Sequence, residues 1–247
     1  MKRRELIFAI LVILAVWQAA AMLIRQPILP SPLVVILVFF QELVNGSMIP
    51  HVLASLWRVL ISTLLAIATA APLGLILGQS QRFNSLFSPV IYILYPIPKV
   101  VFVPIILLLF GIGDFPKIVI IFIILFFQIL VLVRDQAAAI RPELIQSVRS
   151  LGAGRRALFR FVYIPASVPA ILTALRQSVG TAVAVLYIAE LFATQKGLGY
   201  YIYYNGSTLF DYASMYAGII ALSLMGLILY FSVDWLERRL CPWQFVH

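Results

Sequence analysis

Six long stretches of this chain carry almost no charge, and they constrain the fold more than any other feature. They run about Leu6–Ile24, Val59–Gly78, Leu86–Phe110, Ile118–Val133, Ser167–Phe192 and Tyr212–Val233. A helix needs roughly 20 apolar residues to cross the ~30 Å hydrocarbon core of a bilayer. Of the 247 residues, 63% are hydrophobic and 11% charged, which leaves too little charge to cover a water-facing surface. A membrane barrel would alternate polar and apolar residues along short strands, whereas these runs are continuous. The expected fold is all-α, a polytopic membrane protein with about six transmembrane helices. Residues 1–247 are expected to form a single transmembrane domain in contact with membrane lipid.

The third run holds Pro89, Pro96, Pro98 and Pro104 together with the cation Lys99. Each proline removes an amide donor and clashes with the preceding turn. Carbonyls freed inside a membrane are tolerated only where protein or water satisfies them. This span is therefore expected to be irregular, buried in the bundle or facing a cavity, and closed on the outer side by Gly111-Ile112-Gly113-Asp114. In the second run Gly74 and Gly78 have the spacing that lets two helices approach closely. Ser31 and Pro32 read as the N-cap and first turn of a short helix, Leu33 to about Val44, at the outer interface or on the bundle. Lys117 and Arg134 stand where they would snorkel from the ends of the fourth span. The loop from Ala193 to Asp211 carries Tyr200, Tyr201, Tyr203 and Tyr204, which fits an interfacial aromatic belt.

The net charge of +9 would suit nucleic acid in a soluble chain. Here the cations sit in short segments beside apolar spans, which is the positive-inside pattern, so no nucleic-acid partner is expected. Six crossings put both termini on one side. With the N-terminus inside, the inner segments hold Lys2, Arg3, Arg4, Arg82, the six arginines from Arg134 to Arg160, Arg238 and Arg239. The outer segments hold only Arg25, Arg58, Lys117 and Lys196. Both termini are expected to be cytoplasmic. The Lys2-Arg3-Arg4 start also resembles a secretory signal ending near Ala19-Ala20-Ala21, but the apolar stretch that follows exceeds the roughly 7–15 residues of a signal core. A retained helix is the reading. The single cysteine, Cys241, allows no internal disulfide and suggests no Cys-based metal site. His51 and His247 lie far apart without ligand-like neighbours, so no metal is expected and nothing marks a membrane-embedded enzyme.

The longest inner loop runs from about 134 to 165. Pro142 and Glu143 suit the first turn of a helix. Leu144, Val148 and Leu151 follow at i, i+4 and i+7 and make one apolar stripe. Gly152 and Gly154 break that helix, and a second short one, about Arg155–Val162, leads to Pro165. The unit is a helix–glycine–helix hairpin with an apolar stripe and a cationic flank. It reads either as an ordinary basic surface loop or as an element that slots into a partner's groove.

This hairpin resembles the cytoplasmic coupling motif of ABC-importer permeases. That motif is Glu-Ala-Ala, three residues, Gly, nine residues, then hydrophobic–x–hydrophobic–Pro. The glycine is Gly152 and the ending is Val162-Tyr163-Ile164-Pro165, at the family's spacing. Gln146-Ser147-Val148 fills the Glu-Ala-Ala slot, so the acidic residue of the pattern is missing. Asp135-Gln136-Ala137-Ala138 is a decoy, because no glycine follows at the right distance. Leu29-Pro30-Ser31-Pro32, Ser55-Leu56-Trp57-Arg58, Pro96-Ile97-Pro98, Phe110-Gly111-Ile112-Gly113, Ala189-Glu190-Leu191 and Gly197-Leu198-Gly199-Tyr200 look like the nitrate/sulfonate/taurine branch, in order along most of the chain.

The resemblance implies a type I ABC-importer permease fold in the inner membrane of a prokaryote. It implies a coupling surface made by Glu143, Leu144, Gln146, Ser147, Val148, Leu151, Gly152, Ala153, Val162, Ile164 and Pro165. It also implies partners: two copies of an ABC ATPase subunit, a second permease subunit forming a homodimer, and a periplasmic or lipid-anchored solute-binding protein. The chain has no Gly-x-x-x-x-Gly-Lys-Ser/Thr phosphate loop, so ATP would be used by the partner and no cofactor is expected on this chain. Lys99, Arg176 and Glu190 are ionisable residues in or near spans and so are candidates for the translocation path. Arg176 lies about 16 Å along a helix from Pro165. A cationic lining would suit a sulfonate, taurine or an oxyanion such as nitrate, although Lys99 and Arg176 could equally serve a carbonyl or an acidic neighbour. The competing function is an ATP-independent secondary transporter or channel subunit.

Overall fold

The computed structural model describes residues 3–192 and 194–244; Lys2, Ala193 and His247 lie outside the described residues. The helices in order are α1 (Arg3–Ile24), α2 (Pro32–Val44), α3 (Ile49–Gln79), α4 (Gln81–Leu94), α5 (Val103–Phe110), α6 (Asp114–Ala138), α7 (Pro142–Ser150), α8 (Arg155–Leu158), α9 (Ile164–Glu190), α10 (Leu198–Tyr203) and α11 (Tyr212–Leu240). Among the described residues there is no strand. Within the described residues five helical stretches are long and apolar enough to cross a membrane, and six if the bent pair α4–α5 counts as one span. Their outward faces stay apolar, with Phe8 69%, Leu23 83%, Tyr92 81% and Leu108 86% exposed, which lipid tolerates and water would not.

Two compact units divide the chain, Met1–Ser55 with Glu190–Met225, and Leu56–Ala189 with Gly226–His247. In the first unit Pro32 occupies the first turn of α2, as its fixed φ favours, while Ser31 is extended and makes no side-chain cap bond. The tyrosine-rich segment has regular structure. It folds as α10 followed by a π turn, Tyr204–Leu209, with Tyr201 and Ile202 buried and Tyr203 and Tyr204 exposed. Glu190 explains why. It is fully buried and accepts hydrogen bonds from the Ser55 hydroxyl at 2.8 Å and the Gly199 amide at 2.8 Å. Ser55 Oγ in turn accepts from the Leu198 amide at 2.8 Å. A carboxylate and a hydroxyl thus satisfy the orphan amides that open α10. Glu42 adds a second anchor, accepting from the Ser214 hydroxyl at 2.6 Å and from the Tyr201 hydroxyl.

In the second unit the glycine pair has the role its spacing implies. A Cβ on Gly78 would meet the Arg134 carbonyl oxygen at 2.5 Å and the Ala137 Cβ at 2.6 Å, and one on Gly74 would meet the Leu130 carbonyl oxygen at 2.9 Å. α3 and α6 touch backbone to backbone at these two points. Both helices begin earlier than the apolar runs. α3 starts at Ile49 and carries Arg58 inside it, 2% exposed, because Asp114 at the start of α6 receives its guanidinium at 2.6 and 2.9 Å. The pairing neutralises a charge that sequence alone places in a loop. Lys117 does not snorkel. It is 1% exposed and donates to the Gly113 carbonyl at 2.8 Å. At the other end of α6, Arg134 is ion-paired to Asp135 at 2.9 Å.

The third span breaks as its prolines require, and α4 and α5 are bent by 75° around residues 95–98. The entry to α9 differs from the expected short helix. α8 runs into a π turn, Phe159–Tyr163, where the Ile164 amide reaches five residues back to the Phe159 carbonyl, and α9 follows without a gap. Pro165 has no amide to continue the α pattern, so the wider turn takes up the mismatch.

Overpacking at the glycine contact gives the first test. Gly78→Ala should destabilise the detergent-solubilised chain by about 1–3 kcal/mol. Gly180→Ala, where nothing lies within 4 Å, should be neutral or gain up to ~1 kcal/mol. Thermal unfolding midpoints of the two variants check this.

Candidate functional site

The hairpin between α6 and α9 forms as its residues dictate. Pro142 opens α7 and Glu143 sits in its first turn. Ser147 Oγ returns a bond to the Glu143 carbonyl at 2.7 Å, and Ser150 Oγ to the Ser147 carbonyl at 2.8 Å. α7 ends at Leu151, and Gly152 follows at φ +84, its amide donating to the Arg149 carbonyl at 2.9 Å. That left-handed conformation favours glycine; no atom lies within 4 Å of a Cβ built there. Gly152 is needed for the turn and not for a close approach.

The expected stripe divides. Leu144 and Val148 line an open groove of about 320 Å³ with Phe161, Val162, Pro165, Ala166 and Trp243. Leu151, at the helix end, points away and is 86% exposed. Val162 is buried, Ala153 half-buried, and Glu143, Gln146, Ser147, Ile164 and Pro165 are exposed. Phe161 at 69% and Trp243 at 56% exposure add apolar surface that the motif spacing did not indicate. The exposed arginines Arg141, Arg149, Arg156 and Arg160 lie on the same segment. The segment thus combines uncovered apolar side chains with exposed cations.

The broken span holds the second group. Lys99 Nζ donates to the carbonyls of Leu94, Tyr95 and Ile97 at 2.9, 2.8 and 3.2 Å. These are the carbonyls that the prolines and the bend leave without amide partners. The ammonium also stands 4.8 Å from the Phe127 ring centroid. Arg176 lies elsewhere, on α9, and ion-pairs with Asp234 at 3.0 Å and Glu237 at 3.1 Å of α11. Thr173 donates to Glu237 at 3.0 Å, and Arg238 reaches Asp234 at 2.9 Å. Two cations and two carboxylates balance within the protein. Among the described residues no group of three or more His, Cys, Asp or Glu could hold a metal ion.

The comparisons with known proteins decide the family. Residues 70–241 match the family of binding-protein-dependent transport system inner membrane components. The chain belongs to this family. A putative ABC transporter permease protein of Methanocaldococcus jannaschii is 37% identical, over 93% of this chain and 88% of that protein. The taurine transport system permease protein of Escherichia coli (strain K12) is 30% identical, over 94% of this chain and 87% of that one. A chain of the MetNI methionine ABC transporter, solved in inward-facing conformations, superposes with a TM-score of 0.69 at 20% identity, covering 78% of this chain and 95% of that chain. The fold is that of a type I ABC-importer permease.

The permease is thus the membrane-spanning translocation component of an ATP-driven importer in the inner membrane, and its partners are an ATPase subunit and a solute-binding protein. ATP hydrolysis belongs to the ATPase subunit. The permease's one thiol, Cys241, is buried against Leu172 and Leu175. Burial, with the Glu237 carboxylate beside it, holds that thiol above its ordinary pKa and so in its inert form. The residues that sequence reasoning missed here are Phe161, Trp243, Asp234 and Glu237. Only the last two left a trace, as acids just beyond an apolar run.

Removing Arg176 should be costly, because Glu237 is 4% exposed and would keep the Thr173 hydroxyl but lose its counter-charge. Arg176→Met should destabilise the permease by about 3 kcal/mol, and adding Asp234→Asn with Glu237→Gln should restore most of it. Denaturation of the single and triple variants checks the coupling.

Proposed function

We propose that the hairpin, residues 134–165, is the surface through which the ATPase subunit moves this permease. The observation that carries the reading is the groove where Leu144, Val148, Phe161 and Trp243 leave apolar surface uncovered next to a cationic segment. A helix with an apolar face seats in a partner's groove by burying that face, and flanking cations add orientation and encounter rate. Glu143, Gln146, Ser147, Leu151, Ala153, Ile164 and Pro165 complete the surface, Val162 supports it from beneath, and Gly152 sets the angle of the turn. Two permeases pair as a homodimer about a central path, with one ATPase copy on each hairpin. ATP-driven approach of the two ATPases pushes the hairpins together, and the bundles rock between inward-open and outward-open arrangements.

Both termini are cytoplasmic in this reading. The burial of Arg58 and Lys117 inside helices supports it further, since Arg25 and Lys196 then remain as the outer loop cations against the twelve inner ones. The solute is a small organic anion of the sulfonate, taurine or nitrate kind. That choice is supported by the E. coli relative named for taurine and by a putative aliphatic sulfonates transport permease protein of Bacillus subtilis, 28% identical over 95% of this chain. The binding protein, held in the periplasm or by a lipid anchor, selects the solute.

Leu144→Asp and Phe161→Asp replace exposed side chains, so the permease should fold and insert normally. Each should abolish co-purification of the ATPase subunit and lower uptake at least about tenfold, the loss of one buried apolar anchor at an interface. Gly152→Val strains the turn by about 1–3 kcal/mol and should leave the ATPase bound but hydrolysing without transport. Normal co-purification and uptake in the two aspartate variants would overturn the reading.

A further inference from the structure

A second cavity, about 370 Å³, opens beside the broken span within the permease's larger unit. Tyr95, Lys99, Phe127, Gln128, Thr181 and Val185 line it, and no acidic residue does. Sequence reasoning singled out only Lys99. The geometry makes Lys99 an unusual lining residue, since its three ammonium protons already serve the carbonyls of Leu94, Tyr95 and Ile97. It can donate nothing to a ligand, yet its charge faces a cavity that holds no carboxylate.

Gln128 and Thr181 behave in the opposite way. Gln128 lies fourteen residues into α6, about 21 Å along it and deep in the span. Among the described residues its amide has no hydrogen-bond partner. Five hydroxyls elsewhere in the spans, those of Ser62, Thr69, Ser178, Ser223 and Ser232, bond back to the carbonyl four residues earlier at 2.6–2.8 Å. Thr181, three residues beyond Ser178, does not. Lipid cannot satisfy an amide and a hydroxyl at this depth, so their partners must come from water, a ligand or a second subunit. One uncompensated cation and two unspent polar groups meet across two aromatic rings and a valine.

We propose that this cavity is a waypoint for the solute, and that it takes a small organic anion. Gln128 and Thr181 donate hydrogen bonds to the anion's oxygens, Lys99 supplies charge at a distance, and Tyr95, Phe127 and Val185 receive the apolar part. The inference rests on the reading that this chain lines the path. It deepens that reading by assigning specificity to Gln128 and Thr181 and by giving Lys99 two tasks, pinning the break and setting the sign of the field.

The test uses the full-length permease with its ATPase subunit in proteoliposomes, carrying Thr181→Cys. Cys241 is buried and stays silent. The probes are 2-sulfonatoethyl methanethiosulfonate, an anion, and its 2-trimethylammonioethyl counterpart, a cation. Their rates are normalised to those with a free thiol. The anion should be favoured by about tenfold or more, as expected for a charged low-dielectric cleft. Gln128→Glu, which keeps size and leaves the pin at the break intact, should reverse the preference, and Lys99→Gln should abolish it. Val185→Cys gives the same readout should Thr181→Cys fail to assemble. Reaction with both probes and no anion preference overturns the anion assignment while leaving the path intact. No reaction with either overturns the path reading as well.

Discussion

A bilayer offers no water to an unpaired peptide group, and Lys99 is where this permease meets that demand most visibly. Its prolines force a break in the third span, and a break in lipid exposes carbonyls. One ammonium, placed immediately after the break, takes three of them. The 75° bend between α4 and α5 can then persist inside the membrane. Tyr95, Ile97, Pro98 and Lys99 of the break also line the larger cavity.

Other charges obey the same economy. Arg58 is buried where Asp114 receives it, Arg176 is half-buried between Asp234 and Glu237, and Glu190 is buried where it caps the amides of α10 with Ser55. Each is a helix-to-helix or helix-to-loop tie that polar desolvation makes expensive to break. By contrast the hairpin between α6 and α9 leaves apolar side chains uncovered outside the spans. Paired charges within the spans and uncovered apolar side chains on the hairpin give the molecule a scaffold and a proposed handle.

Much of this was legible in the sequence, for physical reasons. The six crossings followed from charge-poor runs, the break from proline density, the close α3–α6 approach from Gly74 and Gly78, and the hairpin turn from Gly152. The boundaries were not legible, because an apolar window cannot see that Arg58 pairs with a carboxylate 56 residues away or that Lys117 bonds a carbonyl four residues back. The role of Glu190 depended on amides of a later loop. Phe161 and Trp243 share the groove with Leu144 although Trp243 is far along the chain, and only folding brings them together. Gln128 and Thr181 carry no local signal at all. What marks them is an absent partner, which only the fold displays.

The central claim is that an external motor grips this gate at the hairpin. The most direct measurement is site-specific photocrosslinking in the assembled transporter. A photoreactive side chain at Leu144 should capture the ATPase subunit, with a yield that changes between ATP-bound and nucleotide-free states. The same probe at Tyr92, on an exposed face of α4, should capture lipid alone. Crosslinks from Leu144 only to lipid headgroups, unchanged through the ATP cycle, would contradict the account.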